Sequence, residues 1–153
     1  MRKIIVVLED NAERIAAMKL RLEDRMPMYD CFFSDDPGEI VEVLTRRKGD
    51  VLAVSLDHDL FDRADGSTEI TGMDVAEFLS RTEPEFPVLI HSSNAIDADR
   101  MQRLLAKNRW SVTRVTPFND TSWIGEDWYP ALRRAIGKSA MPELVPNAEA
   151  IAD

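Results

Sequence analysis

The chain has 153 residues, a length that predicts a single domain around one hydrophobic core. Hydrophobic residues make up 44% of the chain and charged residues 31%, which excludes wholesale disorder. The formal net charge of −9 argues against binding to bulk nucleic acid or to a membrane surface, because both require clustered cations. A nucleotide or a nucleic-acid end remains open as a substrate if a bound cation screens the site.

The first half of the chain predicts three strands separated by two helices. The predicted strands cover residues 4–8, 29–34 and 51–56. The first is a continuous β-branched run, typical of a central strand buried on both faces of a parallel sheet. Apolar residues then recur at helical spacing over residues 12–25, and Pro27 ends that helix. Asp36-Pro37 is a start signal for the second helix.

The second half continues this alternation. Residues 61–71 are polar and predict a loop, which is either a lid over a site or a tolerated insertion. Three more helices are predicted: one from Gly72, one capped by Asp97 or Asp99, and one from Trp128 to Ile136. Between them lie strands at residues 88–90 and 112–115. Strands that alternate with crossover helices predict a doubly wound α/β domain over residues 1–136, followed by a tail over residues 137–153.

Three absences bear on where the protein works. A single cysteine, Cys31, excludes an internal disulfide and a cysteine zinc site. The N-terminal segment turns acidic too early for a signal peptide, and no apolar run approaches the roughly 20 residues of a membrane span. We therefore expect a cytoplasmic protein with no membrane partner.

Chemically active side chains gather directly after the predicted strands, and both histidines of the chain are among them. They are Glu9 and Asp10 after the first strand, Asp57, His58 and Asp59 after the third, His91, Ser92, Ser93 and Asn94 after the fourth, and Thr116 after the fifth. Ligands bind open parallel sheets outside the carboxyl ends of the strands, so we expect one shared site at this edge. Grouped carboxylates repel one another unless a cation is bound, and oxygen donors favour Mg²⁺. The alternative is that these acids only cap helices and solvate turns.

Two imidazoles that face one pocket would supply a base for water and an acid for a leaving oxygen. Each candidate also has a structural interpretation. His58 would be a surface histidine paired with a flanking acid, and His91 a core histidine bonded to the backbone. Asn94 would cap the following helix, and Arg100 would be a solvated helix residue.

The chain resembles the receiver domain of response regulators over residues 1–136. The resemblance rests on Glu9-Asp10, Leu56-Asp57, Ser92 and Thr116-Pro117-Phe118. It implies a flavodoxin-like (βα)5 three-layer sandwich with a five-stranded parallel sheet. It also implies Mg²⁺ held by Glu9, Asp10, Asp57 and the backbone carbonyl of Asp59, with Asp57 as the position that is phosphorylated. Thr116 stands where receivers carry a lysine that neutralises phosphoryl oxygens, and this departure argues against phosphotransfer.

A narrower resemblance is to the receiver-like domains proposed to process cyclic phosphates. The matching segments are Leu56–Leu60, Thr71–Val75, His91–Asn94 and Arg100-Met101. The resemblance implies a Mg²⁺-dependent phosphoesterase that opens a cyclic phosphate on a nucleotide or an RNA end. In that function we expect catalytic roles for His58, His91 and Asp57. The side chains expected to bind phosphate oxygens are Ser92, Ser93, Asn94, Arg100 and Thr116.

Two other functions remain open from the sequence. One is a stand-alone signal-transduction receiver that a histidine kinase phosphorylates at Asp57. The other is a non-catalytic pseudo-receiver that binds a partner or a nucleotide without turnover. The two added histidines and the missing lysine favour the enzyme over the phosphoacceptor.

Overall fold

The computed structural model describes residues 2–60 and 70–140. A five-stranded parallel sheet with the strand order β2-β1-β3-β4-β5 forms its centre. The elements in chain order are β1 (Ile4–Leu8), α1 (Ala12–Arg25), β2 (Asp30–Ser34), α2 (Pro37–Arg46), β3 (Val51–Leu56), α3 (Gly72–Ser80), β4 (Val88–His91), α4 (Ala95–Lys107), β5 (Val112–Val115), a π-helical turn (Ile124–Trp128) and α5 (Tyr129–Ser139). The predicted doubly wound α/β fold is confirmed. None of the helices within the described ranges is long and apolar enough to cross a membrane.

The sheet lies between two helical layers, because successive side chains of a strand point to opposite faces. Val6 and Leu8 pack into a core with α2, α3 and α4. Ile5 and Val7 pack into a second core with α1 and α5. Every residue of β1 is buried, as its unbroken apolar run predicts. This three-layer packing fixes the carboxyl ends of β1, β3 and β4 side by side.

Helix starts are set by side-chain caps. Asp36 accepts a hydrogen bond from the Gly38 N–H, which confirms the predicted start of the second helix. The cap of α4 differs from the expectation of Asp97 or Asp99. Asn94 is the cap, because its Oδ1 accepts the N–H of Asp97 at 3.1 Å directly after the turn that follows β4.

The last helix is longer than the sequence predicts. It continues to Ser139, and the N–H of Ala140 still donates to the carbonyl of Ile136 at 3.0 Å. Most of the predicted loop, residues 61–69, and the rest of the predicted tail, residues 141–153, lie outside the described residues.

Gly72 allows α3 to approach the chain that follows β3. Its N–H donates to the carbonyl of His58 at 3.1 Å. A Cβ at position 72 would overlap the backbone carbonyl of Asp57. Thr71 and Asp74 cap the start of α3 reciprocally, which fixes this approach. The segment Thr71–Val75 therefore packs, through Gly72, against the backbone of Asp57 and His58.

Replacing Gly72 with Ala should destabilise the fold by about 1–3 kcal/mol, the usual effect of forcing a methyl group into a packed position. Gly137→Ala is the matched control, because a Cβ at position 137 of α5 meets no atom within 4 Å. Alanine in that helix should instead add roughly 0.5–1 kcal/mol. Urea unfolding followed by circular dichroism measures both variants. Equal stability of the two would contradict the close approach at Gly72.

Candidate functional site

A cavity of about 160 Å³ opens at the carboxyl edge of the sheet. It is lined by Glu9, Asp10, Asn11, Arg14, Asp57, Asp59 and Ser93. The acids that follow the first and third strands therefore converge, as the sequence predicts. Four carboxylates and one guanidinium share this small volume, so the charge of the cavity lining is strongly negative.

Glu9 lies at the base of this cavity and is completely buried. Its Oε2 accepts the backbone N–H groups of Asp10 and Asn11 at 3.1 and 3.0 Å. Its Oε1 lies 3.0 Å from Nε2 of His91. Three donors thus satisfy the carboxylate and hold the turn between β1 and α1 in place.

His91 is part of a buried relay, which we define as Trp128, Ser55, His91 and Glu9. The indole N–H of Trp128 donates to Oγ of Ser55 at 3.0 Å, and that hydroxyl lies 2.6 Å from Nδ1 of His91. Because an indole can only donate, Oγ of Ser55 is the acceptor of its bond with Trp128. Because an ionised carboxylate can only accept, Nε2 of His91 donates to Oε1 of Glu9.

This relay engages both ring nitrogens of His91, whose side chain has no solvent exposure. The sequence predicts that both histidines face one pocket, but His91 points into the protein interior. It is a core histidine, as the structural interpretation expects, although its partners are the side chains of Ser55 and Glu9 rather than the backbone.

The two buried acids of the site differ in their ionisation. Burial raises the pKa of Glu9, but the hydrogen bond and charge of His91, the N–H of Asn11 and the charge of Arg14 together lower it by more, so that its pKa lies below the usual value. Asp57 is only 4% exposed, and burial raises its pKa to about 7. The charge of Glu9 raises it further, while His91 and Arg14 offset only part of this effect.

The donor set suits a divalent cation. Glu9, Asp57 and His91 each place one potential ligand atom within 4.8 Å of the other two, although both ring nitrogens of His91 are engaged by Ser55 and Glu9. The carboxylates are therefore the available ligands, and their oxygens are hard donors of the kind Mg²⁺ prefers. The residues present therefore fit Mg²⁺. The individual ligands predicted from the sequence, including the carbonyl of Asp59, stay predictions.

His58 belongs to a second cluster beside the cavity. Its Nδ1 lies 2.7 Å from Oδ1 of Asp59 and 3.6 Å from Oδ2 of Asp97. Since an ionised carboxylate only accepts, Nδ1 of His58 carries a proton. Nδ2 of Asn94 donates to Asp97 at 2.7 Å and approaches Asp59 at 3.4 Å, which ties the two carboxylates together. The hydrogen bond to Asp59 therefore fixes the orientation of the His58 ring, and the carboxylate of Asp97 lies close to the same nitrogen.

The predicted phosphate-binding residues are not all brought together. Ser93 lines the cavity, as expected. Ser92 is buried, and its hydroxyl accepts the N–H of Asn94, whose own side chain caps α4. The side chain of Arg100 is 70% exposed and pairs with Asp97 at 3.7 Å. Arg100 and the exposed Thr116 are not among the residues that line the cavity.

Two residues of this region were missed from the sequence. The sequence predicts Asp97 only as a helix cap. Its position three residues after Asn94 brings its carboxylate within 3.6 Å of Nδ1 of His58. Arg14 was not considered, yet its Nη1 lies 3.6 Å from Oε1 of Glu9 and 3.8 Å from Oδ2 of Asp57. The available signal was its place in the first turn of the helix that follows the acidic pair.

Comparison with known families gives one match. The family model described as "Cyclic-phosphate processing Receiver domain" matches residues 18–107. This range includes both histidines, Asp57, Asp59, Ser93 and Asp97. It does not include Glu9, Asp10, Arg14 or Thr116. No curated protein matches the chain.

Solved structures of receiver domains share the fold. One is the signal receiver domain of a protein described as a LuxO repressor from Vibrio parahaemolyticus, with a TM-score of 0.68, 16% identity, and coverage of 95% of this chain and 98% of that one. Another is the response regulator domain of Thermotoga maritima CheB, at 0.65 and 15%, covering 90% and 98%. A receiver domain from Clostridium thermocellum gives 0.66 and 17%, covering 91% and 98%. At these identities the likeness shows the fold alone.

Asp57→Asn should stabilise the metal-free protein at about pH 8 but hardly at about pH 4. Because the pKa of Asp57 is raised to about 7 on folding, the native state binds more protons than the unfolded state above the ordinary pKa of 3.8. The free energy of unfolding of the unaltered protein therefore falls as the pH rises towards 7. Removing the charge should recover at most about 4 kcal/mol, at 1.36 kcal/mol per pKa unit.

Denaturant unfolding in the presence of a chelator, at both pH values, measures this effect. Asp120→Asn is the control, because Asp120 is exposed and the N–H of Ser122 lowers its pKa. That variant should gain no stability at the higher pH. A gain for Asp57→Asn that is larger at the lower pH would contradict the account of this site.

Proposed function

This chain belongs to the family of cyclic-phosphate processing receiver domains, and from that premise we propose that it is a divalent-metal-dependent phosphoesterase acting on cyclic phosphates. The observation that carries the proposal is the position of His58, whose Nδ1 bonds to the cavity residue Asp59 and lies 3.6 Å from Asp97. A phosphoacceptor aspartate has no need of an oriented imidazole at the next position of the chain. A hydrolase needs a base for the attacking water, and a histidine whose Nε2 has no hydrogen-bond partner among residues 2–60 and 70–140 meets that need.

In the proposed reaction, Nε2 of His58 accepts a proton from water as the water oxygen bonds to phosphorus. The ring P–O bond breaks, and the leaving oxygen takes up the proton that His58 received. The product is a phosphate monoester that keeps the other proton of the water. Asp59 and Asp97 stabilise the imidazolium that exists between these two transfers. A divalent cation bound by the carboxylates of the cavity would supply neutralisation of the phosphoryl charge.

For His91 we propose a positioning role. It contacts Glu9 and Ser55 rather than the cavity, so it acts by keeping the Glu9 carboxylate in place. Ser93 is the predicted phosphate-binding residue that lines the cavity, and we propose that its hydroxyl donates to a phosphoryl oxygen. The remaining predicted residues of this group have their side chains engaged elsewhere or exposed.

The size of the cavity bears on the substrate. Sites that enclose a whole small molecule usually have about 300–1,000 Å³, and this cavity has about 160 Å³. As the described residues outline it, this volume holds a phosphate group but not a whole nucleoside. We therefore propose that the phosphate enters and the rest of the substrate stays outside, which suits a cyclic nucleotide or a 2′,3′-cyclic RNA end.

Two observations support other functions. Asp57 lines the cavity and the fold is that of receivers, which favours a stand-alone receiver phosphorylated at Asp57 by a histidine kinase. The inward orientation of His91 favours a non-catalytic pseudo-receiver that binds a ligand. The same experiments that test the phosphoesterase distinguish it from these two functions.

The purified chain should open 2′,3′-cyclic nucleotides to monoesters in the presence of Mg²⁺, and a chelator should abolish the reaction. His58→Asn should lower kcat by about 10²–10⁴-fold, the range for loss of a general base, with little change in stability. Asp99→Asn is the control on α4, because Asp99 pairs with Arg103 and Arg114 outside the cavity. Its turnover should equal that of the unaltered protein.

The same preparation is incubated with acetyl phosphate and examined for a phosphoryl group on Asp57. Ring opening that depends on Mg²⁺ and on His58 supports the enzyme. Labelling without ring opening would replace the enzyme by the phosphorelay receiver. Mg²⁺ binding without either activity, over a panel of cyclic nucleotides and RNA ends, would favour the pseudo-receiver.

A further inference from the structure

We propose that Arg14 is the phosphate-binding cation of this site. Among the described residues that line the cavity, Arg14 is the one with a cationic side chain, and the family match begins beyond it, at residue 18. The inference rests on the proposed function for the substrate class. It adds a residue to which neither the sequence nor the family match assigns a role.

The position of Arg14 is fixed at both ends of the residue. Its backbone N–H donates to Oδ1 of the helix cap Asn11 at 2.9 Å. Its guanidinium carbon lies 5.4 Å from the centre of the Trp123 ring, and that indole is completely buried. Stacking of this kind orients a guanidinium without using its N–H donors. The side chain is 26% exposed, so solvent and solutes reach it.

Within the part of the chain that the structure describes, the guanidinium of Arg14 forms ion pairs but no hydrogen bond with the protein. Its nearest acid oxygens, on Glu9 and Asp57, lie at 3.6 and 3.8 Å, beyond hydrogen-bonding distance. No other acceptor within the described residues 2–60 and 70–140 binds the guanidinium. Arginine has five N–H donors in a planar fork that matches two oxygens of a phosphate. A preformed, unsaturated donor group therefore faces the cavity.

Charge balance gives Arg14 a second, measurable property. A phosphate group enters a cavity with four carboxylates only if cations offset the repulsion. Arg14 and a divalent cation carry the same sign and lie near the same acids, Glu9 and Asp57. Removing the guanidinium should therefore strengthen cation binding while it weakens phosphate binding. A purely structural role would weaken both.

The test uses the full chain and two simple probes, Mg²⁺ alone and then inorganic phosphate at saturating Mg²⁺. Calorimetry measures the first affinity, and ³¹P NMR line broadening measures the second. Arg14→Gln should bind Mg²⁺ more tightly, by about three- to ten-fold, and phosphate more weakly, by about ten-fold or more. Arg14→Lys should keep part of the phosphate affinity, because it keeps the charge but loses the fork.

Arg21→Gln is the matched control. Arg21 lies about two turns further along α1, and its guanidinium also stacks on an aromatic ring, that of Tyr129 at 6.0 Å. It lines a different cavity and should leave both affinities unchanged. Thermal unfolding confirms that each variant is folded. Unchanged phosphate affinity in Arg14→Gln, or parallel loss of Mg²⁺ and phosphate affinity, would overturn the proposal.

This inference and the proposed function can fail separately. Opposite shifts of the two affinities, with no hydrolysis by the unaltered protein, would leave Arg14 as a phosphate ligand and remove the phosphoesterase. Hydrolysis by the unaltered protein, with unchanged KM and phosphate affinity in Arg14→Gln, would remove the role of Arg14 alone. Absence of both Mg²⁺ and phosphate binding by the unaltered protein would overturn both.

Discussion

The buried carboxylate of Glu9 determines how the functional edge of this sheet is built. An ionised group without solvent contact is tolerated only when hydrogen bonds replace its lost hydration. Two backbone N–H groups and the imidazole of His91 supply them. Through His91 this requirement extends to Ser55 on β3 and to Trp128 at the start of α5. One desolvated charge thus connects the β1–α1 turn, two further strands and the last helix.

Glu9 and Asp57 are neighbouring buried acids that receive different numbers of hydrogen bonds. This difference determines the reactivity of the carboxyl edge of the sheet. Among the described residues, Glu9 receives three donors within 3.1 Å, whereas Asp57 receives the N–H of His58 at 2.8 Å and a guanidinium at 3.8 Å. Both acids are buried, so the difference in donors decides which of them stays ionised. The acid with fewer donors, Asp57, lines the cavity together with Arg14. A cation and an oxyanion are then the ligands that complete the site.

Much of the fold was predictable because its signals are local. The apolar run of β1, the helical spacing of α1 and the cap of α2 depend on residues that are adjacent in sequence, and the structure confirms them. The sequence also predicted correctly that the acids after β1 and β3 share one cavity, because the carboxyl ends of parallel strands meet at one edge.

Side-chain direction was not predictable in the same way. His91 turns inward because its two hydrogen-bond partners, Ser55 and Glu9, lie in the interior. They are 36 and 82 residues away from it along the chain. Arg14 reaches the cavity because the buried face of Trp123 supports it. Such directions are set by packing between distant segments. From a single sequence we can predict which residues lie at the carboxyl edge of the sheet, but not which of their side chains face the ligand.

The π-helical turn before α5 determines where two tryptophans lie. The N–H of Tyr129 bonds to the carbonyl of Ile124, five residues back, and this widened turn buries both Trp123 and Trp128. In an α-helix, side chains five residues apart would point about 140° from each other. The widened turn instead lets a spacing of five residues bring both indoles to the buried face, where Trp123 lies under Arg14 and Trp128 donates to Ser55. The one extra residue of this turn is therefore what allows a single helical segment to support both the guanidinium and the buried histidine.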